Sequence, residues 1–276
     1  MKRKVSLTVF ATIAIFCLSS FNTKKILWVA IGDSITYLND HLDETGNRVS
    51  KGYMTRVKEK LPDIDFVNQG HNGWTVVGIA REIEKLGLVK AEVYSVFLGT
   101  NDWWSGIPLG TLDDYKGNTG TATMCGAYRL IINKVKALNP SAKVILVTPM
   151  QRSDFVYLSN FKNNAWGSYR EKNNQSLEAF AKAIAAIAKY DGFRLVDLYH
   201  DEKLKVKDLV SFKRLKKPGT SVYQNFKYPN YVDVPFDPSI DEYPYPPEAV
   251  GMTYDGLHPS DKGYERIATA FLRHLK

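Results

Sequence analysis

Short apolar runs and amphipathic stretches take turns along this chain, and that alternation restricts the fold more than any single motif does. Ile26 to Ile31 is an apolar run suited to a buried strand, and Tyr53 to Leu61 reads as a helix stopped by Pro62. Ile64 to Val67 predicts a second strand, after which Val76, Ile79, Ala80 and Ile83 recur at helical spacing. Val93 to Leu98 predicts a third strand. Ala127, Leu130, Ile131, Val135 and Leu138 mark a helix that ends around Asn139-Pro140, before a fourth strand at Lys143 to Val147. Leu177, Phe180, Ala181, Ile184 and Ala188 give another helix, followed by a fifth strand at Arg194 to Val196. Tyr264, Ile267, Ala268, Phe271, Leu272 and Leu275 line one face of a last helix, with Ser260 placed to cap it. Strands that alternate with helices in this way predict an α/β domain with a largely parallel sheet of about five strands.

The alternation breaks between residues 199 and 254. This stretch is basic in its first half and rich in Tyr and Pro in its second, and Tyr243-Pro-Tyr-Pro-Pro247 cannot form regular helix. It is expected to be an insertion. The basic run from Lys203 to Lys217 is broken by Val206, Leu209, Val210, Phe212 and Leu215, so it reads as a solvated helix or loop face.

Residues 1–22 are set apart by a different pattern. Met1-Lys2-Arg3-Lys4 precedes an apolar run from Val5 to Leu18 and then Ser19 and Ser20: a basic start, a stretch too short to span a membrane as a helix, and a small-residue exit. A signal peptide is predicted, with export to the periplasm, the medium or the cell surface. Residues 23–276 are left as one domain, and 44% hydrophobic residues supply a sizeable core for it. A short N-terminal membrane anchor is the alternative. Lipid attachment at Cys17 would tie the chain to a membrane, although Phe16 stands where lipoprotein processing expects a small residue.

Only Cys125 remains beyond the leader, so no internal disulfide is available, and its neighbours Met124 and Ala127 mark it as a core residue. The net charge is +8, and removing Lys2, Arg3 and Lys4 leaves +5. That modest excess comes without zinc-finger spacing or an RNA-binding aromatic signature, so nucleic acid is not an expected partner. No His-Glu-x-x-His, phosphate loop or paired-Cys site points to a metal or cofactor.

The chemistry gathers at the ends of predicted strands. Ser34, in Ile31-Gly-Asp-Ser-Ile-Thr36, follows the first; Gly73, in Asn68-Gln-Gly-His-Asn-Gly73, the second; Asn101, in Leu98-Gly-Thr-Asn-Asp102, the third. Open α/β sheets bind ligands at the carboxyl ends of their strands, so the three groups are expected on one rim. Asp255-Gly-Leu-His258 precedes the last helix, at a spacing that lets the Asp carboxylate accept from one ring nitrogen and leave the other facing Ser34. A serine hydroxyl needs such a base, and the oxyanion it creates needs pre-aimed donors. Gly32-Asp-Ser-Ile-Thr36 lacks the second glycine of the Gly-x-Ser-x-Gly elbow, which argues against that rival layout.

Taken together, these four blocks resemble the SGNH, or GDSL, hydrolase family. The resemblance spans the chain from Ile26 to the last helix. It implies a flavodoxin-like three-layer α/β/α sandwich and metal-free hydrolysis of acyl esters. Ser34 would be the nucleophile, His258 its base and Asp255 the partner of the base; Ser34 N–H, Gly73 N–H and the Asn101 side chain would form the oxyanion hole. Gly73 is preferred over Gly70 because it closes the string that Asn68 opens, while Asp33 and Asp102 read as turn-stabilising carboxylates that bond nearby backbone N–H groups.

Trp74, Trp103 and Trp104 follow the second and third blocks and are expected to flank a sugar-bearing substrate, unless they pack the loops. A small-molecule or polysaccharide ester, above all an acetyl ester, is therefore the expected substrate. The competing readings are a lipid or lysophospholipid esterase and a non-catalytic carbohydrate-binding protein on the same fold. His71 reads as a loop histidine with no role, the alternative being a place on the pocket rim.

Overall fold

The computed structural model describes residues 25–275, so the predicted leader and Cys17 lie outside the described residues. The chain begins with β1 (Ile26–Gly32) and the short α1 (Ser34–Tyr37), then α2 (Tyr53–Lys60), β2 (Ile64–Gly70), α3 (Val76–Glu82) and β3 (Val93–Phe97). It continues through α4 (Thr100–Trp104), α5 (Leu112–Lys116), α6 (Met124–Leu138), β4 (Lys143–Val147), β5 (Phe155–Val156), β6 (Asn164–Ala165), α7 (Leu177–Asp191) and β7 (Arg194–Val196). The remaining elements are α8 (Val206–Leu209), β8 (Lys213–Lys216), β9 (Tyr223–Phe226) and α9 (Asp261–Leu275).

Five strands form one parallel sheet in the order β2-β1-β3-β4-β7. Because side chains on a strand alternate faces, each central strand feeds two cores. Val29 and Ile31 of β1, Tyr94 and Val96 of β3, and Val144 and Leu146 of β4 face the layer of α3, α6 and α7. Trp28 and Ala30, Val93 and Phe97, and Ile145 and Val147 face the layer of α2 and α9. The result is the three-layer α/β/α sandwich expected from the sequence.

Helix ends follow their local chemistry. Thr75, Thr123 and Ser176 each accept from a backbone N–H in the first turn of α3, α6 and α7. Gly192 closes α7 in the left-handed conformation. Ser260 Oγ accepts weakly from Gly263 N–H at 3.4 Å at the start of α9.

The stretch 199–254 holds α8, the antiparallel hairpin of β8 and β9, and a small core of Val210, Leu215, Tyr231 and Tyr245 closed by Val156 of β5. The expectation of a solvated basic face fails at Lys213. Strand alternation turns Lys213 and Leu215 inward and Arg214 and Lys216 outward. Lys213 is buried and paired with Asp154 at 2.7 Å. Cys125 is buried in the main core, where burial pushes its thiol up to about 12.

Candidate active site

Strand order 2-1-3 places a topological switch point between β1 and β3, where chains leave their carboxyl ends toward opposite faces and open a crevice. Ser34 begins α1 directly after β1, and Asn101 lies in α4 after β3. Asp33 caps α1 by accepting from Ile35 N–H at 3.0 Å, and burial pushes its carboxyl up to about 6. As the first residue of α1, Ser34 has an N–H with no partner inside the helix.

Ser34 Oγ lies 2.9 Å from His258 Nε2. Behind it, His258 Nδ1 lies 2.6 Å from Asp255 Oδ2, while Asp255 Oδ1 accepts from the N–H groups of Leu257 at 3.0 Å and His258 at 2.7 Å. That tight turn needs Gly256, whose φ is +92° and where a Cβ would collide with the Asp154 carbonyl. The edge of Phe155 and the face of Tyr254 pack on the His258 ring. Burial pulls the His258 pKa down, but the charge and hydrogen bond of Asp255 outweigh it, and the net shift is upward.

Asn101 Nδ2 donates to Trp74 O at 2.9 Å, which uses one of its two N–H bonds. Gly73 has φ +76° and open space where a Cβ would stand, and its N–H donates to no group among the described residues. Gly70 differs, since its N–H is taken by Asn68 Oδ1 at 2.9 Å. Ser34, Gly73, Asn101 and His258 line one cavity of about 290 Å³. Asn72, Ser105, Tyr157 and Asn163 supply further polar wall, and Phe155, Ala165 and Leu257 form a small apolar patch.

The chain matches the family model for the GDSL-like lipase/acylhydrolase family over residues 30–266. It belongs to that family. This GDSL-family chain is a carboxylic ester hydrolase. It is 60% identical to a possible lipase from Chitinophaga pinensis DSM 2588, with a TM-score of 0.90 over 91% of this chain and 97% of that one. An acetyl xylan esterase shares the fold at 20% identity and TM-score 0.54, over 91% of this chain and all of that one (100%). The lipase/acylhydrolase from Enterococcus faecalis does so at 16% identity and TM-score 0.51, over 91% of this chain and 95% of that one. No curated protein matches the sequence.

The three tryptophans separate. Trp104 lines the cavity, whereas Trp103 is fully buried in the core with its indole N–H donating to Gln175 O at 2.8 Å. Neighbours in a helix point about 100° apart, so one turn sends one ring to the site and the other to the core. Trp74 stacks on His71 and faces a shallow hollow on the other side of Gly73. Neither His71 nor Trp74 lines the cavity.

Asp102 accepts from its own backbone N–H and reaches across to Val76 N–H at 2.8 Å and Val77 N–H at 3.4 Å, so it also ties the start of α3 to the turn after β3, and burial pushes its carboxyl up to about 7. Arg152, beyond β4, lines the cavity too, although no sequence motif singles it out. The rule that picks out the ends of the first three strands, applied to the fourth, reaches it.

Proposed function

We propose that this chain removes short acyl groups, acetyl above all, from carbohydrate esters, with Ser34 as nucleophile, His258 as general base and Asp255 orienting it. The observation that carries this reading is the 2.9 Å contact of Ser34 Oγ with His258 Nε2 in the wall of a cavity with free N–H donors. His258 takes the Ser34 proton as Oγ attacks the ester carbonyl. The oxyanion accepts from Ser34 N–H, Gly73 N–H and the second N–H of Asn101, and the alcohol leaves with the proton from His258. Water then attacks the acyl-enzyme by the same route and releases the acid.

The cavity volume sits at the small end of ligand pockets, and its apolar patch of Phe155, Ala165 and Leu257 is limited, which suits an acetyl methyl better than a long chain. The amide and hydroxyl wall of Asn72, Asn163, Ser105 and Tyr157 suits a hydroxyl-rich alcohol. The pattern of residues 1–22 supports export, and Cys17 supplies a site for a membrane anchor. Among the described residues no helix is long and apolar enough to cross a membrane.

The test compares acetyl, butyryl and decanoyl esters, together with acetate release from acetylated xylan, in wild type and Ser34→Ala. Acetyl preference, loss of turnover in the variant and fluorophosphonate labelling at Ser34 are expected. A decanoyl preference would overturn the substrate reading in favour of a lipid esterase, and a Ser34→Ala variant that still turned over would overturn the mechanism. N-terminal sequencing of the exported chain checks the leader, and a chain retained in the cytoplasm at full length would refute export.

A further inference from the structure

Arg152 is, apart from His258, the only charged side chain in the wall of the catalytic cavity among the described residues. It is 2% exposed. A guanidinium so far from water is ordinarily held by a carboxylate, because burying a charge without a counter-charge is costly. Here no ion pair includes it among the described residues. The two carboxylates whose charge acts on it are already engaged: Asp154 with Lys213 at 2.7 Å and Asp255 with His258 at 2.6 Å.

The hydrogen bonding is equally incomplete. Nη2 donates to the neutral Trp166 carbonyl at 2.6 Å, and Nε is buried with no acceptor. The rings of Trp103 and Trp104, centred 4.8 and 4.7 Å from Cζ, hold the guanidinium in place and offset part of its desolvation. Burial pulls its pKa down to about 9, which keeps it protonated at neutral pH. Lys172, outside the cavity lining, packs a second cation over Trp104, at 4.4 Å from the ring centre. The wall of the cavity that holds the serine thus carries the Arg152 cation and no carboxylate.

We infer that Arg152 binds a carboxylate carried by the substrate beside the scissile ester, so that the enzyme selects acidic esters over neutral ones. This rests on the reading that the ester carbonyl sits in the same cavity at Ser34. The planar fork of donors on a guanidinium matches the two oxygens of a carboxylate. The carboxylate belongs either to the alcohol, as in an acetylated uronic acid, or to the acyl group, as in a succinyl ester, and both put the same anion near the reacting bond.

Two matched pairs distinguish these sources: an acetylated uronate against the same acetylated hexose, and a succinyl against a butyryl aryl ester. Wild type is expected to favour the acid in one pair by on the order of ten- to a hundredfold in kcat/KM, the range of a charge-assisted hydrogen bond. Arg152→Met should abolish the preference and Arg152→Lys should keep part of it. Equal rates within both wild-type pairs, a comparison that needs no variant, would overturn the inference. So would an equal loss on acidic and neutral esters in Arg152→Met. Calorimetric binding of glucuronate and succinate separates this inference from the hydrolytic reading. One acid bound by wild type and at least tenfold weaker in Arg152→Met supports the anion site even if no ester is cleaved, whereas ester cleavage with neither acid bound and no acidic preference refutes the site alone.

Discussion

Exchanging Asp255 for Asn tests the proposed division of labour most sharply, because the surroundings leave the new side chain one orientation. Asp255 Oδ1 accepts two backbone N–H groups, from Leu257 at 3.0 Å and His258 at 2.7 Å. An Asn must keep its carbonyl oxygen there, since turning its amide round would set N–H against N–H. Its NH2 then replaces Oδ2, 2.6 Å from His258 Nδ1, and Nδ1 has to become an acceptor. The ring proton moves to Nε2, which lies 2.9 Å from Ser34 Oγ and can no longer accept the serine proton. A base held in the wrong tautomer lowers turnover by about 10⁴-fold, equivalent to about 5 kcal/mol of transition-state stabilisation. KM should change little, because Asp255 is fully buried and stands behind the cavity wall. Steady-state hydrolysis of an aryl acetate, with circular dichroism to show the variant folded, measures both quantities. A kcat within tenfold of wild type would refute the role given to Asp255.

Asn101→Ala removes one of the proposed oxyanion donors and should lower kcat by roughly a hundredfold or more while KM stays close to wild type; near-normal kcat would remove Asn101 from the mechanism. His258 must be neutral to act as base, and its pKa is raised above 6.5, so kcat/KM should fall with acid through a midpoint above 6.5. The same shift makes the protonated ring stabilise the fold, fully below about pH 6.5 and fading as pH rises through the higher folded value, so activity and this contribution run in opposite directions. A pH profile with its acid midpoint at or below 6.5 contradicts this. Cys125, buried and with its thiol pushed up to about 12, should resist iodoacetamide in the native protein and react only on unfolding; alkylation at the unfolded rate in native buffer would show that the core is open there.

Five strands and the longer helices between them are legible in the amino-acid sequence because their signals are local: short continuous apolar runs for strands buried on both faces, apolar spacing of three and four along helices, and Pro, Gly or hydroxyl residues at the ends. Parallel α/β topology then makes Ser34, Gly73 and Asn101 neighbours on one rim, since each follows a strand that ends on the same edge. Asp255 and His258 are readable as a pair because they stand three positions apart and Gly256, one of the two residues between them, lets the turn close.

What needs the folded chain is whatever depends on residues far apart in sequence. Ser34 and His258 are 224 residues apart, and only the packing of α9 and the loop before it against α1 decides that their atoms meet. Trp103 and Trp104 are neighbours that α4 turns apart, but what each then meets, Gln175 O before α7 for the buried Trp103 and Trp166 at the cavity for Trp104, comes from distant parts of the chain. Lys213 belongs to a run that reads as solvated, and only the hairpin turns it onto Asp154. Propensity and periodicity are properties of a short window and so are written in the sequence; burial and charge compensation are properties of the three-dimensional neighbourhood, which only the tertiary structure assembles.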